Sequence, residues 1–285
     1  MAEIVSNLTF EQIRTFVISL VKDKTCRSMK NYIQSHDAGV HWWAEIKPRA
    51  WKNKVFFLAM YKRATGVGYQ KLQDLIKSWW HINHKSLKHN TREVFRLSRL
   101  WAKKYIHLGD QKAWEAAARN VDIPSSVKEG LLFIDSCDFI YEGKNSISKK
   151  DDRWSYKENH PALRFWALSD AKRRIRRLWG PGSPKLYDGH WMAEKAKFFN
   201  DNCAGVGVFA DCSFHCAKGD FTQCILYASA PETQAGISSR TKELNRAIKH
   251  IRARVESPFA DMKGYFGELS EVPFREELNF QEDVI

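Results

Sequence analysis

The chain has 285 residues, 44% of them hydrophobic and 13% aromatic, with a formal net charge of +13. This composition supports packed cores and excludes a disordered chain, and no stretch reaches the ~18–20 uncharged apolar residues of a membrane span. The charge is segregated: residues 1–120 hold 22 Lys and Arg against 9 Asp and Glu, the whole of the excess, and residues 121–285 hold 24 of each, so a polyanion-gripping module precedes a neutral one.

Residues 8–120 read as helical. Phe10, Ile13, Phe16, Val17 and Leu20 recur at helical spacing. A second helix is expected over 48–61, with Pro48 at its start, and Gly66-Val67-Gly68 breaks it. A helix over 69–79 and a long one over 84–106 follow, and the pair has helix-turn-helix character. Leu72, Leu75 and Ile76 form the inner face of the first, and Asn83 caps the second. Leu87, Val94, Leu97 and Trp101 then face inward, which turns Lys85, Lys88, His89, Arg92 and Arg99 outward as DNA-binding candidates. The competing reading is a helical hairpin with a solvated charged face.

Ile123-Pro124-Ser125-Ser126 marks a junction. Strands are expected over 130–135, 162–168, 175–179, 205–210 and 221–228, with a hairpin turn at Ser169-Asp170-Ala171-Lys172 and helices over 186–200 and 238–257. That order defines an α/β domain. The expected division is 1–120 helical and DNA-binding, 121–267 α/β, and 268–285 an acidic tail.

Two acids close apolar runs, in Phe133-Ile134-Asp135 and Phe209-Ala210-Asp211. A strand end is a rigid place for a metal ligand, and two carboxylates on neighbouring strands repel unless a cation lies between them. A third acid lies on the late helix. Leu244, Ile248, Ile251, Val255, Phe259, Met262 and Phe266 form its apolar stripe, and Asn245, Arg252, Glu256 and Lys263 fall together on its flank at ~100° per residue. Arg252 is placed to hold Glu256 or a DNA phosphate. Pro258 must kink this helix or start another.

These residues carry a resemblance. Residues 131–266 resemble the DDE nuclease domain of the PIF/Harbinger transposase superfamily and related bacterial insertion-sequence transposases. The matching elements are Leu132-Phe133-Ile134-Asp135; Gly180-Pro181-Gly182-Ser183 followed by Asp188; Gly207-Val208-Phe209-Ala210-Asp211; and Asn245, Arg252, Glu256, Phe259 and Lys263 in order. About half of the chain is covered. Two departures stand out: Ser136-Cys137-Asp138 follows Asp135 where the family shows Gly-Thr, which makes Asp138 a rival first ligand, and Pro258 follows the Glu.

The resemblance implies a ribonuclease H-like α/β nuclease domain preceded by an all-helical helix-turn-helix DNA-binding region. It implies a catalytic and metal-binding triad of Asp135, Asp211 and Glu256, with Asp188, Asn245, Arg252 and Lys263 auxiliary. Two Mg²⁺ or Mn²⁺ ions ~3.5–4 Å apart would activate water or a DNA 3′-hydroxyl and stabilise the leaving oxygen. Cleavage at transposon ends and strand transfer into target DNA would follow. The implied partners are terminal-repeat and target DNA, further copies of the chain in a homo-oligomer, and a Myb-like DNA-binding protein; a membrane is not among them. The alternatives are a domesticated transposase kept for DNA binding and a nuclease without strand transfer.

The cysteines are Cys26, Cys137, Cys203, Cys212, Cys216 and Cys224. The first twenty residues contain charges and no continuous apolar core, so no signal peptide is expected, the thiols are expected to be free, and the location is intracellular, nuclear in a eukaryote. A zinc module built from Cys203, Cys212, His215, Cys216 and Cys224 is a rival reading, although Cys-x-x-His-Cys is not a regular finger spacing.

Overall fold

The computed structural model describes residues 9–21, 23–35, 49–140, 149–231, 237–255 and 257–265. The chain forms two compact units, the first reaching Tyr105 and the second running mainly from Ile106 to Asp261.

The first unit is helical: α1 (Phe10–Val21), α2 (Asp23–Ser35), α3 (Arg49–Thr65), α4 (Tyr69–Ile76) and α5 (His84–Tyr105). The run Val55-Phe56-Phe57-Leu58-Ala59-Met60 is buried without interruption. A helix apolar all round must be wrapped by others, and α3 packs against α1 and α5. α4 stops short of residue 79 and ends in a turn where Trp79 and Trp80 stack at 6.3 Å. Asn83 caps α5, its side chain accepting from the Ser86 N–H at 2.8 Å. Leu72, Ile76, Leu87, Val94 and Leu97 are buried, as their spacing requires.

The second unit opens with α6 (Gln111–Ala118). Trp114 and Ala118 on it enter the core beneath the sheet, and for this reason the division falls after Tyr105 instead of at 120. The strands are β1 (Gly130–Ile140), β2 (Trp154–Ser155), β3 (His160–Asp170), β4 (Ile175–Gly182), β5 (Gly207–Ala210) and β6 (Ile225–Ala228). β1, β3 and β4 form an antiparallel meander, with β2 beside the start of β3, and β5 and β6 add to the other side of β1 in parallel. α7 (Asp188–Asn202), a 3₁₀ segment over Cys212–Asp220, α8 (Ser239–Arg254) and α9 (Pro258–Tyr265) complete the order. Pro258 starts a new helix; it does not kink the old one, because α8 has already ended at Arg254. The β3–β4 turn is tied by Asp170, whose buried carboxylate accepts from Arg174 Nε at 2.8 Å and Arg176 Nε at 2.9 Å.

Two cores face the sheet from opposite sides. Leu132, Ile134, Trp166, Val208 and Ala210 pack with Trp114 of α6 and Trp191, Met192 and Phe199 of α7. Phe133, Phe209 and Tyr227 pack with Ala247, Ile248 and Ile251 of α8. The alternation along β1 and β5 is that of strands covered on both faces. The result is a mixed α/β unit. Among the described residues no helix is long and apolar enough to cross a membrane.

Candidate active site

β1 and β5 run parallel with Phe133 opposite Phe209. Two residues further along each lie Asp135 and Asp211, so the register sets them side by side on the α8 face. Asp211 is the first residue past β5, as expected of a strand-end acid. Asp135 is not: β1 continues to Ile140, paired with β3 alone. The strand persists because Asp138, directly opposite Arg164, is neutralised within it. Arg164 donates to it at 2.6 and 3.0 Å and Ser155 at 2.6 Å. With its side chain 1% exposed and both oxygens engaged, Asp138 is a structural ion pair and not a rival first ligand.

The Asp135 carboxyl is held above the usual carboxylate range. Burial is the main cause, and the Asp211 charge adds to it; a hydrogen bond from Ser257, the Arg252 guanidinium and the Ser136 backbone act in the other direction. Asp135, Asp211, Arg252 and Ser257 therefore form one electrostatic cluster.

Asp211 is fixed by its own loop. It caps the 3₁₀ segment, its Oδ1 accepting from the Ser213 N–H at 2.8 Å and also from the Ser213 hydroxyl. The same hydroxyl reaches Asp188 Oδ2 at 3.3 Å. Asp188, in the first turn of α7, accepts from Trp166 Nε1 at 2.8 Å and the Ser136 hydroxyl at 3.0 Å, with Arg164 Nη1 at 3.5 Å. Asp188 is thus joined to Asp211 through one serine, and its own contacts are fully internal.

Of the other expected site residues, Glu256 lies outside the described residues. Asn245 is buried, and its amide is spent on Ala230, accepting from the N–H at 2.9 Å and donating to the carbonyl at 3.0 Å. It pins the segment after β6 to α8. Lys263 lies on α9, past the point where the chain leaves the second unit. In the helical unit Lys85 and His89 are exposed, Lys88 and Arg92 half-buried, and the side chain of Arg99 lies outside the described residues. Lys88 leans over Tyr69, its Nζ 5.9 Å from the ring centroid.

All six cysteines are unbridged. Cys203 and Cys224 are buried within the apolar core, and burial pushes both thiols up to about 12. Cys212 and Cys216 are exposed.

The residues that sequence reading missed are Ser136, Arg164, Trp166, Ser213 and Ser257. Only Ser213 left a signal, an Asp followed two positions later by Ser at a helical start. Arg164 and Trp166 reach the site from β3, whose pairing with β1 the sequence does not encode locally.

The donor chemistry here is compatible with a hard divalent cation. Asp135 and Asp211 offer oxygen ligands, and a cation between them would relieve the burial and repulsion that raise the Asp135 carboxyl. Among the described residues no group of three or more His, Cys, Asp or Glu side chains is arranged to hold a metal. The described share of such a site is therefore this carboxylate pair.

No family model matches this chain, and neither a curated protein nor a solved structure matches it.

Proposed function

We propose that the chain is a DNA-cleaving and strand-joining enzyme of the DDE transposase kind, with a ribonuclease H-like second unit and a DNA-gripping helical unit. The observation that carries this reading is the side-by-side setting of Asp135 and Asp211 where parallel strands β1 and β5 part. The element order, four antiparallel strands of which β2 has only two residues, a helix, two parallel strands joined through a 3₁₀ segment and a covering helix, also supports it.

In this reading Asp135 and Asp211, with Glu256, hold Mg²⁺ or Mn²⁺. Bound there, such ions supply a nucleophilic water or 3′-hydroxyl at neutral pH and stabilise the leaving oxygen. The chain's own residues do the remaining work. Ser213 and Asp188 fix the orientation of Asp211. Arg252 lends positive charge beside Asp135, where a scissile phosphate gathers negative charge. The Phe133 and Phe209 rings seal the floor beneath the carboxylates. DNA is the partner; a homo-oligomer, a Myb-like partner protein and, in a eukaryote, a nuclear location belong to the same proposal.

A DNA-binding protein or nuclease without strand transfer is the second reading. A labelled terminal-repeat duplex incubated with Mg²⁺ and target plasmid separates the two. Asp135→Asn and Asp211→Asn should each lower cleavage by about 10²–10³-fold, the scale of losing a charge-stabilising group, with duplex binding unchanged. Wild-type rates in Asp135→Asn would overturn the assignment; cleavage without joined product would select the second reading.

A further inference from the structure

Among the described residues, large apolar side chains are exposed at Phe16, Tyr156, Tyr187 and Ile225. Two of these belong with one lysine of the second unit. The Lys185 Nζ stands 5.9 Å from the Tyr156 ring centroid, and Tyr187 follows Lys185 two residues later. Tyr187 also neighbours the carboxylates. It immediately precedes Asp188 at the start of α7. Partial burial pushes its phenol up, and Cys216, Cys212, Asp211 and Asp188 add to the shift, so the ring lies within charge reach of both acids.

The backbone that carries these side chains is tied down. The Ser183 hydroxyl donates to the Asp152 carbonyl at 2.6 Å and accepts from the Lys185 N–H at 3.1 Å. The Leu186 carbonyl accepts from Arg164 Nη1 at 2.9 Å, and the Lys185 ammonium donates to the Lys150 carbonyl at 2.9 Å. The Tyr187 ring rests on the first turn of α7: it meets the His190 ring edge to face at 5.3 Å, and a Cβ on Gly189 would lie 2.9 Å from it. It is nevertheless 46% exposed, and Tyr156 is 71% exposed. A single exposed aromatic needs no explanation. Two that share one lysine, on a fixed backbone beside a carboxylate pair, point to a ligand with flat faces.

An aromatic ring stacks any nucleobase, whatever the sequence, but a base offers its face only when it leaves the duplex stack. An ammonium bonded to one carbonyl keeps two further donors for a phosphate. Asp151, which feels the Lys185 charge, is itself bonded to Arg153 at 2.9 and 3.0 Å. Lys149 and Lys150 are exposed nearby on the same loop. We propose that Tyr156, Lys185 and Tyr187 form a track for unpaired DNA nucleotides leading to Asp135 and Asp211, with bases on the two rings and the phosphate between them against Lys185. The substrate is then DNA opened locally beside the scissile phosphate, not an intact duplex. The inference rests on the proposed function in taking the carboxylate pair for the cutting site.

The test uses the full chain in EDTA, where cleavage cannot contribute. A single strand of about 20 thymidines, some replaced by 5-iodo-2′-deoxyuridine, is bound and irradiated, and the cross-linked peptides are mapped by mass spectrometry. Adducts on Tyr187 or Tyr156 are expected; adducts confined to other residues would overturn the proposal. Anisotropy of the same strand, alone and annealed to its complement, supplies the second readout. Tyr187→Ala should weaken single-strand binding about fivefold or more, the lower end of what one stacked base contributes, and change duplex binding less than about twofold. Tyr187→Phe keeps the ring and should bind like wild type. Lys185→Gln should reduce the single-strand salt slope by about 0.7, the value for one lost phosphate contact. Equal loss on single strand and duplex in Tyr187→Ala, or no loss on either, would overturn the track. Asp135→Asn should cross-link and bind like wild type, so failure of the track and failure of the catalytic reading are seen separately.

Discussion

Asp135 shows how one side chain sets the cost of a site. Burial and the neighbouring Asp211 disfavour its charged form, and the opposing hydrogen bond from Ser257 and charge of Arg252 do not fully compensate. A carboxyl whose folded pKa is raised binds its proton more tightly in the native state, so it favours the fold when protonated and loses that contribution as pH rises through the folded pKa. At neutral pH the ionised Asp135 therefore opposes folding. Replacing it by Asn should raise the urea midpoint at pH 7, and the gain should vanish on acidification toward the ordinary carboxyl value of 3.8. A lower midpoint at pH 7 would mean that attraction to Arg252 and Ser257 outweighs the burial. Active sites commonly retain such a destabilising charge because function requires it.

At the scale of elements, the site rests on an aromatic ladder. Phe133, Phe209 and Tyr227 stack across β1, β5 and β6 at 5.1 and 5.4 Å, and the Tyr227 hydroxyl donates to Glu129 at 2.7 Å. The ladder leaves no room beside it: a Cβ on Gly130 would lie 2.2 Å from the Phe209 ring, and one on Gly207 2.3 Å from the Tyr227 ring. Gly130→Ala must displace Phe209 and with it the turn into Asp211. It should cost about 1–3 kcal/mol by overpacking, seen as a lower melting temperature; an unchanged melt would show that the ladder yields freely. Periodicity and apolar runs made these elements legible in the sequence, the helices nearly to their ends. The continuation of β1 past Asp135 was not legible, because Ser136-Cys137-Asp138 reads as polar until Arg164 is placed across from Asp138. The place of α6 was hidden likewise: a short Ala-rich helix reveals its unit only when Trp114 is seen beneath the sheet. The serines of the site were invisible since a hydroxyl gains meaning only from a partner remote in sequence.

At the scale of the whole molecule, charge and chemistry are divided. The excess of +13 lies in the first 120 residues, and the carboxylate pair lies in the second unit. Grip and cutting should then respond to different variables. Without divalent cations, duplex affinity should fall steeply and linearly in log–log form with salt, and Asp135→Asn should leave that slope unaltered. A flat salt dependence would remove the basis for treating the helical unit as a polyanion grip. The order of the chain carries a further consequence. The strands that lead to Asp135 and Asp211 precede α8, whose Ala247, Ile248 and Ile251 pack on the Phe133–Phe209–Tyr227 face. During translation that sticky surface stays bare until the ribosome has released α8, so a nascent chain halted before residue 239 would expose it to chaperones and to other unfinished copies.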